Sequence, residues 1–372
     1  MGRFDKFKDK LSRDSLAKTG FWEDTMPLIN QGSVVPVIGN SFLIEQIFHE
    51  QKEAGEDNSD TPQSDDAGRT YDEQLTKVWA DFIEYPMPDK HNLARVAQYF
   101  LVEQKNSLQA RAKYLEFLKT CFLEFAGNVD EDEELASKFR SQVKEMLFSE
   151  MTRQMDFPRF LPDQEDPLRL LAQLPLAIYV TTSYYDFLER ALESEGKKPQ
   201  THVCFWSGEV PNARIDRWAD SDFEPTPASP IVYHLFGIEN YPQTLVLSED
   251  DFMDFLVAIA EDTNTQKPIV PLRLQEVLAS SPLLLLGYQI RDWDFRILFR
   301  FILKYRKRDE LTPRGMFIQL KANRQHIGNM EKSLEYLSHY FDRKKFDVEW
   351  TTTENFIRKL WSEWDKYRQG QS

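Results

Sequence analysis

The feature that most constrains the fold of this chain is a series of short apolar segments, most of them separated by amphipathic, helix-like stretches. Strands of a parallel sheet are covered on both faces and therefore read as almost continuous apolar runs. The predicted strands are SVVPVIG (33–39), LAIYVTT (176–182), THVCFW (201–206), IVYHLFG (231–237), TLVLS (244–248), PLLLLGY (282–288) and GMFIQL (315–320). The sequence thus predicts an α/β protein whose parallel sheet carries helices on both faces.

Composition narrows the classes of protein that this chain can represent. Its 372 residues, 41% of them hydrophobic, are enough for one elaborate domain or two close-packed ones. The formal net charge of −15 opposes nucleic acid as the main partner, because nucleic-acid binding relies on lysine and arginine. Without a long apolar run or a secretory signal, we expect a soluble cytoplasmic protein that binds no membrane. Cys121 and Cys204 lack metal-ligand spacing, so we expect two buried thiols and neither a disulfide nor a metal site.

The chain divides into three predicted regions. Residues 1–54 supply N-terminal helices and the first strand-helix unit, and residues 173–372 supply the remaining strands. Between them, residues 55–172 form an insertion. It begins with an acidic segment rich in turn-forming residues (55–72), which we expect to be a surface loop without chemistry, and continues with four or five helices.

The first strand ends in Gly39-Asn40-Ser41-Phe42 and leads directly into a helix. A glycine at this point allows a phosphate to approach the backbone, and the start of the helix offers unpaired N–H groups to it. Ordinary turn geometry also explains a single glycine between a strand and a helix, and a full G-x-G-x-x-G pattern is absent.

The second strand ends in a polar rim, Thr181-Thr182-Ser183, which is followed by Asp186. Two hydroxyls at a strand tip and a carboxylate in the first turn of a helix suit a ribose or another polar ligand. In the alternative interpretation, Ser183 caps the helix and Asp186 closes a capping box, which leaves Thr181 and Thr182 unexplained.

The remaining two strand ends also carry polar groups. His234 and Phe236 are predicted on one face of their strand, although a single histidine there is more often a satisfied core residue. The strand at 282–288 breaks at Gly287-Tyr288, and Asp292 then begins a helix. Because parallel sheets bind ligands at the carboxyl ends of their strands, we expect all four ends to surround one ligand.

Several segments together resemble a known family. VVPVIGNSF, YVTTSYYDFLERAL, VYHLFG, TLVLSEDDFMDFL and LLLLGYQIRDWDFRIL occur in the order of the sirtuin-like domain found in bacterial anti-phage defence proteins. The resemblance covers about residues 33–48 and 175–300. It implies a Rossmann-like NAD-binding core with an inserted helical module. It further implies hydrolysis of NAD to nicotinamide and ADP-ribose.

Two positions depart from the pattern of the family. The second motif of active relatives carries a catalytic asparagine where this chain has Ser183, and the third motif carries a catalytic histidine where it has Phe236. Phenylalanine cannot transfer a proton. His234 is the expected substitute if the pocket is shifted by one pair of side chains, with Asp186 or Asp292 as alternative polarising groups. The predicted catalytic residues are Ser183, Asp186 and His234. The predicted NAD-binding residues are Gly39, Asn40, Ser41, Phe42, Thr182, Gly287, Tyr288 and Asp292.

These observations leave three functional hypotheses. The first is an NAD glycohydrolase with a rearranged site, activated by homo-oligomer formation or by a partner defence protein. The second is a catalytically silent sirtuin-like domain that binds NAD, ADP-ribose or a related nucleotide as a sensor. The third is an interaction protein whose helical insertion binds a partner. Deacylation is disfavoured, because the four-cysteine zinc module of classical sirtuins is absent.

Overall fold

The computed structural model describes residues 20–48, 69–130, 139, 141–160, 166–207, 223–262, 268–290, 292–306, 315–319 and 330–370. Residues 1–19, from the region where the sequence predicts N-terminal helices, and most of the acidic loop predicted at 55–72 lie outside these ranges. So does Arg291, which the sequence groups with the polar residues of the fourth strand end.

The described strands form one parallel sheet. They are β1 (Val35–Ile38), β2 (Ile178–Thr181), β3 (Gln200–Val203), β4 (Ile231–His234), β5 (Leu283–Leu286), β6 (Gly315–Gln319) and β7 (Phe346–Glu349). Their order is β3-β4-β2-β1-β5-β6-β7, and every adjacent pair is parallel. Strands β1, β4 and β5 are buried along their whole length, which explains their continuous apolar sequences. The predicted parallel α/β fold is confirmed.

The topology places a crevice at the middle of the sheet. From β1 the chain proceeds to β2 on one side, and it later returns to β5 on the other side. Ile38 pairs with Thr181 of β2 and with Leu286 of β5, while Thr181 pairs with His234 of β4. Four strands therefore end side by side, at the position where α/β sheets of this type bind ligands.

The helices surround this sheet. In chain order they are α1 (Phe21–Asn30), α2 (Asn40–Phe48), α3 (Tyr71–Phe82), α4 (Leu93–Gln104), α5 (Ser107–Asp130), α6 (Phe148–Gln154), α7 (Pro167–Gln173), α8 (Phe187–Ser194), α9 (Glu249–Glu261), α10 (Leu272–Ser280), α11 (Trp293–Tyr305), α12 (Met330–Asp342) and α13 (Thr353–Gly370). Helix α7 packs against α8 and α13, and α11 packs against α9 and α10. Helices α3 and α4, from the predicted insertion, contact α2 and α9 respectively.

Two segments differ from the sequence prediction. The segment at 244–248 is not a strand, because it follows a 3-10 turn (Pro242–Thr244) and runs outside the sheet. Its backbone is satisfied without a neighbouring strand: Val246 donates its N–H to the Phe236 carbonyl at 3.0 Å and accepts from the Tyr184 hydroxyl at 2.7 Å.

The insertion also departs from its prediction, because the helical pattern of EELASKFRSQVKEMLFSEM (133–151) does not form one continuous helix. Residues 141–145 form turns, and α6 begins only at Phe148. The Glu239 carboxylate accepts the N–H groups of Phe148 and Ser149 at 2.7 and 2.8 Å. A buried carboxylate at this point favours a helix start, because it pairs the otherwise unsatisfied N–H groups of the first turn.

Candidate functional site

The four central strand ends meet at one cavity of about 430 Å³. Its lining includes Asn40 and Ser41 after β1, Thr182 and Tyr184 after β2, Phe236 after β4, and Asp292 and Asp294 after β5. Helix α3 and the residues just before it close another side through Arg69, Thr70, Asp72 and Thr76. Ligand pockets commonly measure roughly 300–1,000 Å³, so the cavity can accept a small molecule.

The two glycines of the predicted site, Gly39 and Gly287, allow neighbouring secondary-structure elements to pack closely. A Cβ on Gly39 would lie 2.6 Å from the carbonyl oxygen of Gly287, and one on Gly287 would lie 2.5 Å from the Cβ of Phe42. Gly287 also has φ +76°, a conformation that other residues rarely adopt. Gly39, Phe42 and Gly287 do not line the strand-end cavity, and their positions are explained by the close contact of β1, β5 and α2.

Asn40 is the least satisfied of the predicted ligand-binding residues. It begins α2, lines the cavity and is only 7% exposed. Within the described parts of the chain, its side-chain oxygen Oδ1 has no hydrogen-bond partner. An unpaired buried acceptor is costly for the protein alone, so Asn40 is suited to accept a hydrogen bond from a ligand.

Thr182 places a hydroxyl at the end of β2, where it lines the cavity. Its Oγ1 lies 3.2 Å from the hydroxyl of Tyr288, which is buried and comes from the end of β5. Tyr288 itself does not line the strand-end cavity. The ends of β2 and β5 therefore meet through this contact. Thr182 lines the cavity, and the Tyr288 hydroxyl supports the orientation of the Thr182 side chain.

Ser183 and His234 lie behind the cavity rather than in its lining. The Ser183 hydroxyl accepts a hydrogen bond from the N–H of Tyr185 at 3.3 Å. Ser183 and His234, two of the three predicted catalytic residues, are both fully buried. His234 Nδ1 lies 2.8 Å from the Ser183 carbonyl oxygen, and Nε2 lies 2.9 Å from Oε1 of Glu189 on α8. The histidine thus contacts the backbone of Ser183 and not its hydroxyl.

The His234–Glu189 contact is an internal ion pair. Burial lowers the pKa of His234, but the charge and hydrogen bond of Glu189 and the Ser183 carbonyl outweigh it, so the pKa lies above its usual 6.5. Both imidazole nitrogens face acceptor oxygens, which favours the charged, doubly protonated ring. Neither partner lines the cavity.

Asp186 also lies outside the cavity lining. Its carboxylate forms ion pairs with Arg153 at 2.8 Å and with Arg190 at 3.0 Å. It occupies the N-cap position of α8 without a side-chain capping bond, so the capping box proposed as the alternative interpretation does not form. The structure therefore places Asp186 in a partly buried ion-pair network that joins the start of α8 to Arg153 of α6.

Aromatic rings form one wall of the cavity. Phe236 and Phe252 line it with ring centroids 5.5 Å apart, and Phe252 stacks on Trp293 at 6.4 Å. The prediction that His234 and Phe236 share one face is wrong. Strand β4 ends at His234, so the alternation of side chains does not extend to Phe236.

Two carboxyl groups that sequence reasoning missed line the same cavity, Asp72 from α3 and Asp294 from the first turn of α11. Burial, together with the negative charges of Asp294 and Glu73, raises the pKa of Asp72 from 3.8 to about 7. Burial also raises the pKa of Asp294 to about 6, against the opposing effect of the hydrogen bond from the N–H of Phe295. Strongly shifted carboxyl groups in a cavity are typical of functional sites.

A local signal for Asp72 was present in the sequence. Thr70 caps α3 and forms a capping box with Glu73, the T-x-x-E pattern that marks a helix start. Because of this pattern, α3 begins at Tyr71, inside the segment (55–72) that its composition assigned to the acidic loop. Within the described ranges, no group of three or more His, Cys, Asp or Glu residues could hold a metal ion, and no helix is long and apolar enough to cross a membrane.

The sequence is similar to known proteins over part of its length. Residues 177–341 match the model of the SIR2-like domain family. A stretch of 197 residues is 22% identical to the NAD(+) hydrolase ThsA of Bacillus cereus (strain MSX-D12). The match covers 53% of this chain and 35% of that protein, so this chain spans about a third of the length of the relative.

Proposed function

We propose, from the premise that this chain carries a SIR2-like domain, that its strand-end cavity binds NAD and hydrolyses the bond between nicotinamide and ribose. The observation that carries the proposal is the convergence of residues from the ends of β1, β2, β4 and β5 on one cavity. Asn40 lines this cavity, and its Oδ1 has no hydrogen-bond partner in the described ranges. Similarity to a NAD(+) hydrolase over half of this chain supports the choice of ligand.

The start of α2 is the proposed seat of the diphosphate. Helix N-termini attract phosphate because their first N–H groups are unpaired and carry partial positive charge. Ser41 offers a hydroxyl beside this helix start, and Arg69 supplies positive charge to the cavity lining. In this arrangement the Oδ1 of Asn40 accepts a hydrogen bond from a ribose hydroxyl.

The acidic and aromatic side of the cavity is the proposed seat of nicotinamide. The nicotinamide ring of NAD is cationic, so it is attracted by Asp292 and Asp294 and can stack on the rings of Trp293 or Phe252. The same carboxylates disfavour the diphosphate at this end. The charge distribution therefore selects one orientation of the dinucleotide.

The proposed chemistry requires little from the protein beyond orientation, charge and water. The bond between ribose C1′ and the pyridinium nitrogen breaks with its electron pair leaving on nicotinamide, and a water oxygen forms the new bond to C1′. The transition state resembles an oxocarbenium cation, which nearby carboxylates stabilise. Hydroxyl and amide groups such as Thr182 and Asn40 would hold the ribose in position.

Incubation of the purified protein with NAD, followed by chromatography of nicotinamide and ADP-ribose, tests the proposal. We expect equal molar amounts of both products and a large loss of turnover in Asn40→Ala. Asn355→Ala, at an exposed position of α13, is the matched control and should retain wild-type turnover. A protein that neither releases nicotinamide nor gains thermal stability with NAD or ADP-ribose would contradict the proposal.

A second candidate function is nucleotide binding without hydrolysis. It is favoured by Phe236, which brings an aromatic ring to the cavity at the position of the family's catalytic histidine, and by the complete burial of Ser183. Stabilisation by ADP-ribose together with undetectable nicotinamide release would select this function.

The resemblance also leads us to propose a role in anti-phage defence, with assembly or a partner protein as the trigger. NAD measurements in phage-challenged cells that express the chain test that role.

A further inference from the structure

The cavity brings together two carboxyl groups from parts of the chain that are distant in sequence. Asp72 lies in the first turn of α3, and Asp294 lies in the first turn of α11, directly after the end of β5. Both are partly buried and line the cavity, so a bound molecule can reach either group. The motifs through which the chain resembles its family assign neither residue a role.

The two carboxyl groups are electrostatically linked. The charge of Asp294 contributes to the raised pKa of Asp72, and both carboxylates add to the effect of burial in raising the pKa of Tyr184. Two neighbouring acids in a poorly solvated site share a proton, because ionisation of one disfavours ionisation of the other. The other titratable groups that line the cavity are Arg69, Glu73, Asp89, His91, Tyr184 and Asp292.

A separate observation indicates that the cavity is built for a ligand. Asn40 lines it, is more than nine-tenths buried, and its Oδ1 has no hydrogen-bond partner among the described residues. This amide lies at the end of β1, the strand next to β5. The carboxyl pair therefore lies in the same cavity as a buried acceptor that a ligand could satisfy, which distinguishes it from a cluster of acidic residues on the surface.

We propose that Asp72 and Asp294 act as one catalytic unit, in which a carboxylate takes a proton from the attacking water. This inference rests on the proposed NAD hydrolysis and supplies the base that Phe236 cannot provide. As the water oxygen bonds to ribose C1′, one water proton passes to the carboxylate and nicotinamide leaves with the electron pair of the broken bond. The two carboxyl groups then share this proton until product release, when it passes to bulk solvent.

The pH profile gives the pair a signature that a structural role would lack. A base works when it is ionised, so turnover should rise with pH through the range of about 6 to 7 where the pair loses its shared proton. In Asp294→Asn, Asp72 loses its negative neighbour, and its pKa should fall. The acidic limb of any remaining activity should then move to lower pH.

The decisive experiment compares Asp72→Asn, Asp294→Asn and the double variant with the wild type, from pH 5 to 9. General-base catalysis contributes roughly 10²–10⁴-fold, so we expect at least one single variant to lose about that much kcat while ADP-ribose still raises its Tm. The double variant should lose little more than the worse single variant, because the two groups act as one unit. Asp81→Asn, also on α3 but outside the cavity lining, controls for the substitution and should keep wild-type turnover.

The possible outcomes separate this inference from the proposed function. Wild-type turnover that both single variants retain within about threefold would overturn the carboxyl pair and leave NAD hydrolysis intact. Binding of ADP-ribose without wild-type turnover would overturn the pair and leave nucleotide binding. A wild type that neither binds nor hydrolyses would overturn both proposals. Loss of turnover with retained binding and a shifted pH limb would support the pair.

Discussion

Two groups of polar residues lie near the end of β2, and they differ in burial and in whether they line the cavity. On one side, both nitrogens of His234 have partners in Ser183 and Glu189, and the residues are sealed from solvent. On the other side, the Oδ1 of Asn40 has no hydrogen-bond partner among the described residues, and Asp72, which lines the same cavity, has a strongly raised pKa. Paired buried groups support the fold, whereas unsatisfied groups beside a cavity are available for a ligand.

Removal of one member of the His234–Glu189 pair should have the largest effect on stability. We expect His234→Ala to lower the free energy of unfolding by about 3–5 kcal/mol, because it leaves the Glu189 carboxylate buried without its charged partner. Urea unfolding measures this loss. His339→Ala, at an exposed position of α12, should change stability by less than about 0.5 kcal/mol. If His234→Ala leaves stability unchanged but abolishes turnover, then His234 acts in catalysis and its role is not structural.

Asn40→Ala should weaken ligand binding by about 1–3 kcal/mol, the usual effect of removing one partner of a buried hydrogen bond. The free protein should lose no stability, because the variant removes an acceptor that has no partner in the described structure. Calorimetry with ADP-ribose and thermal unfolding without it measure the two effects. If Asn40→Ala binds normally but unfolds more easily, then Asn40 belongs with the structural group.

The sequence was sufficient to predict most of the sheet and the edge at which its central strands end. Buried parallel strands produce long apolar runs, which made β1, β2, β4 and β5 recognisable without a structure. The segment at 244–248 has the same composition but lies outside the sheet. Its backbone hydrogen bonds come from Phe236 and Tyr184, and apolar content alone does not reveal such partners.

The orientation of side chains was harder to predict than the positions of strands. Ser183 and Thr182 are adjacent, yet only Thr182 lines the cavity, because the backbone turns at the end of β2. Asp72 lay in a segment whose acidic composition predicted a loop without chemistry. Its role in the cavity depends on the packing of α3 against α2, a tertiary contact between residues separated by the whole acidic segment.

The raised pKa of Asp72 predicts a stability change that depends on pH. An acid whose pKa is higher in the folded protein stabilises the fold below its unfolded pKa of 3.8 and loses that contribution as pH rises towards 7. Asp72→Asn should therefore raise stability by at least about 1 kcal/mol at pH 8, or roughly 1–2 °C in Tm for a chain of 372 residues, and by less at pH 5. Differential scanning calorimetry at both pH values measures the gain. Asp81→Asn should show no gain at pH 8, because the hydrogen bond from Lys90 lowers the pKa of Asp81. Equal gains for both variants would remove the contrast between cavity and surface carboxylates.

The smallest expected effect comes from Ser183→Ala, and it tests the comparison at two adjacent residues. The Ser183 hydroxyl contacts only the N–H of Tyr185 among the described residues, and it is the carbonyl oxygen that meets His234. Loss of one weak hydrogen bond should cost about 0.5–1 kcal/mol of stability and leave kcat/KM for NAD within about threefold. Thr182→Val, which removes a cavity hydroxyl and its contact with Tyr288, should reduce kcat/KM further. A Ser183→Ala protein that folds normally and loses about 100-fold in kcat would support the catalytic role predicted from the family resemblance. It would also require β2 to present Ser183 to the ligand in a second conformation, because the hydroxyl is sealed behind the cavity here.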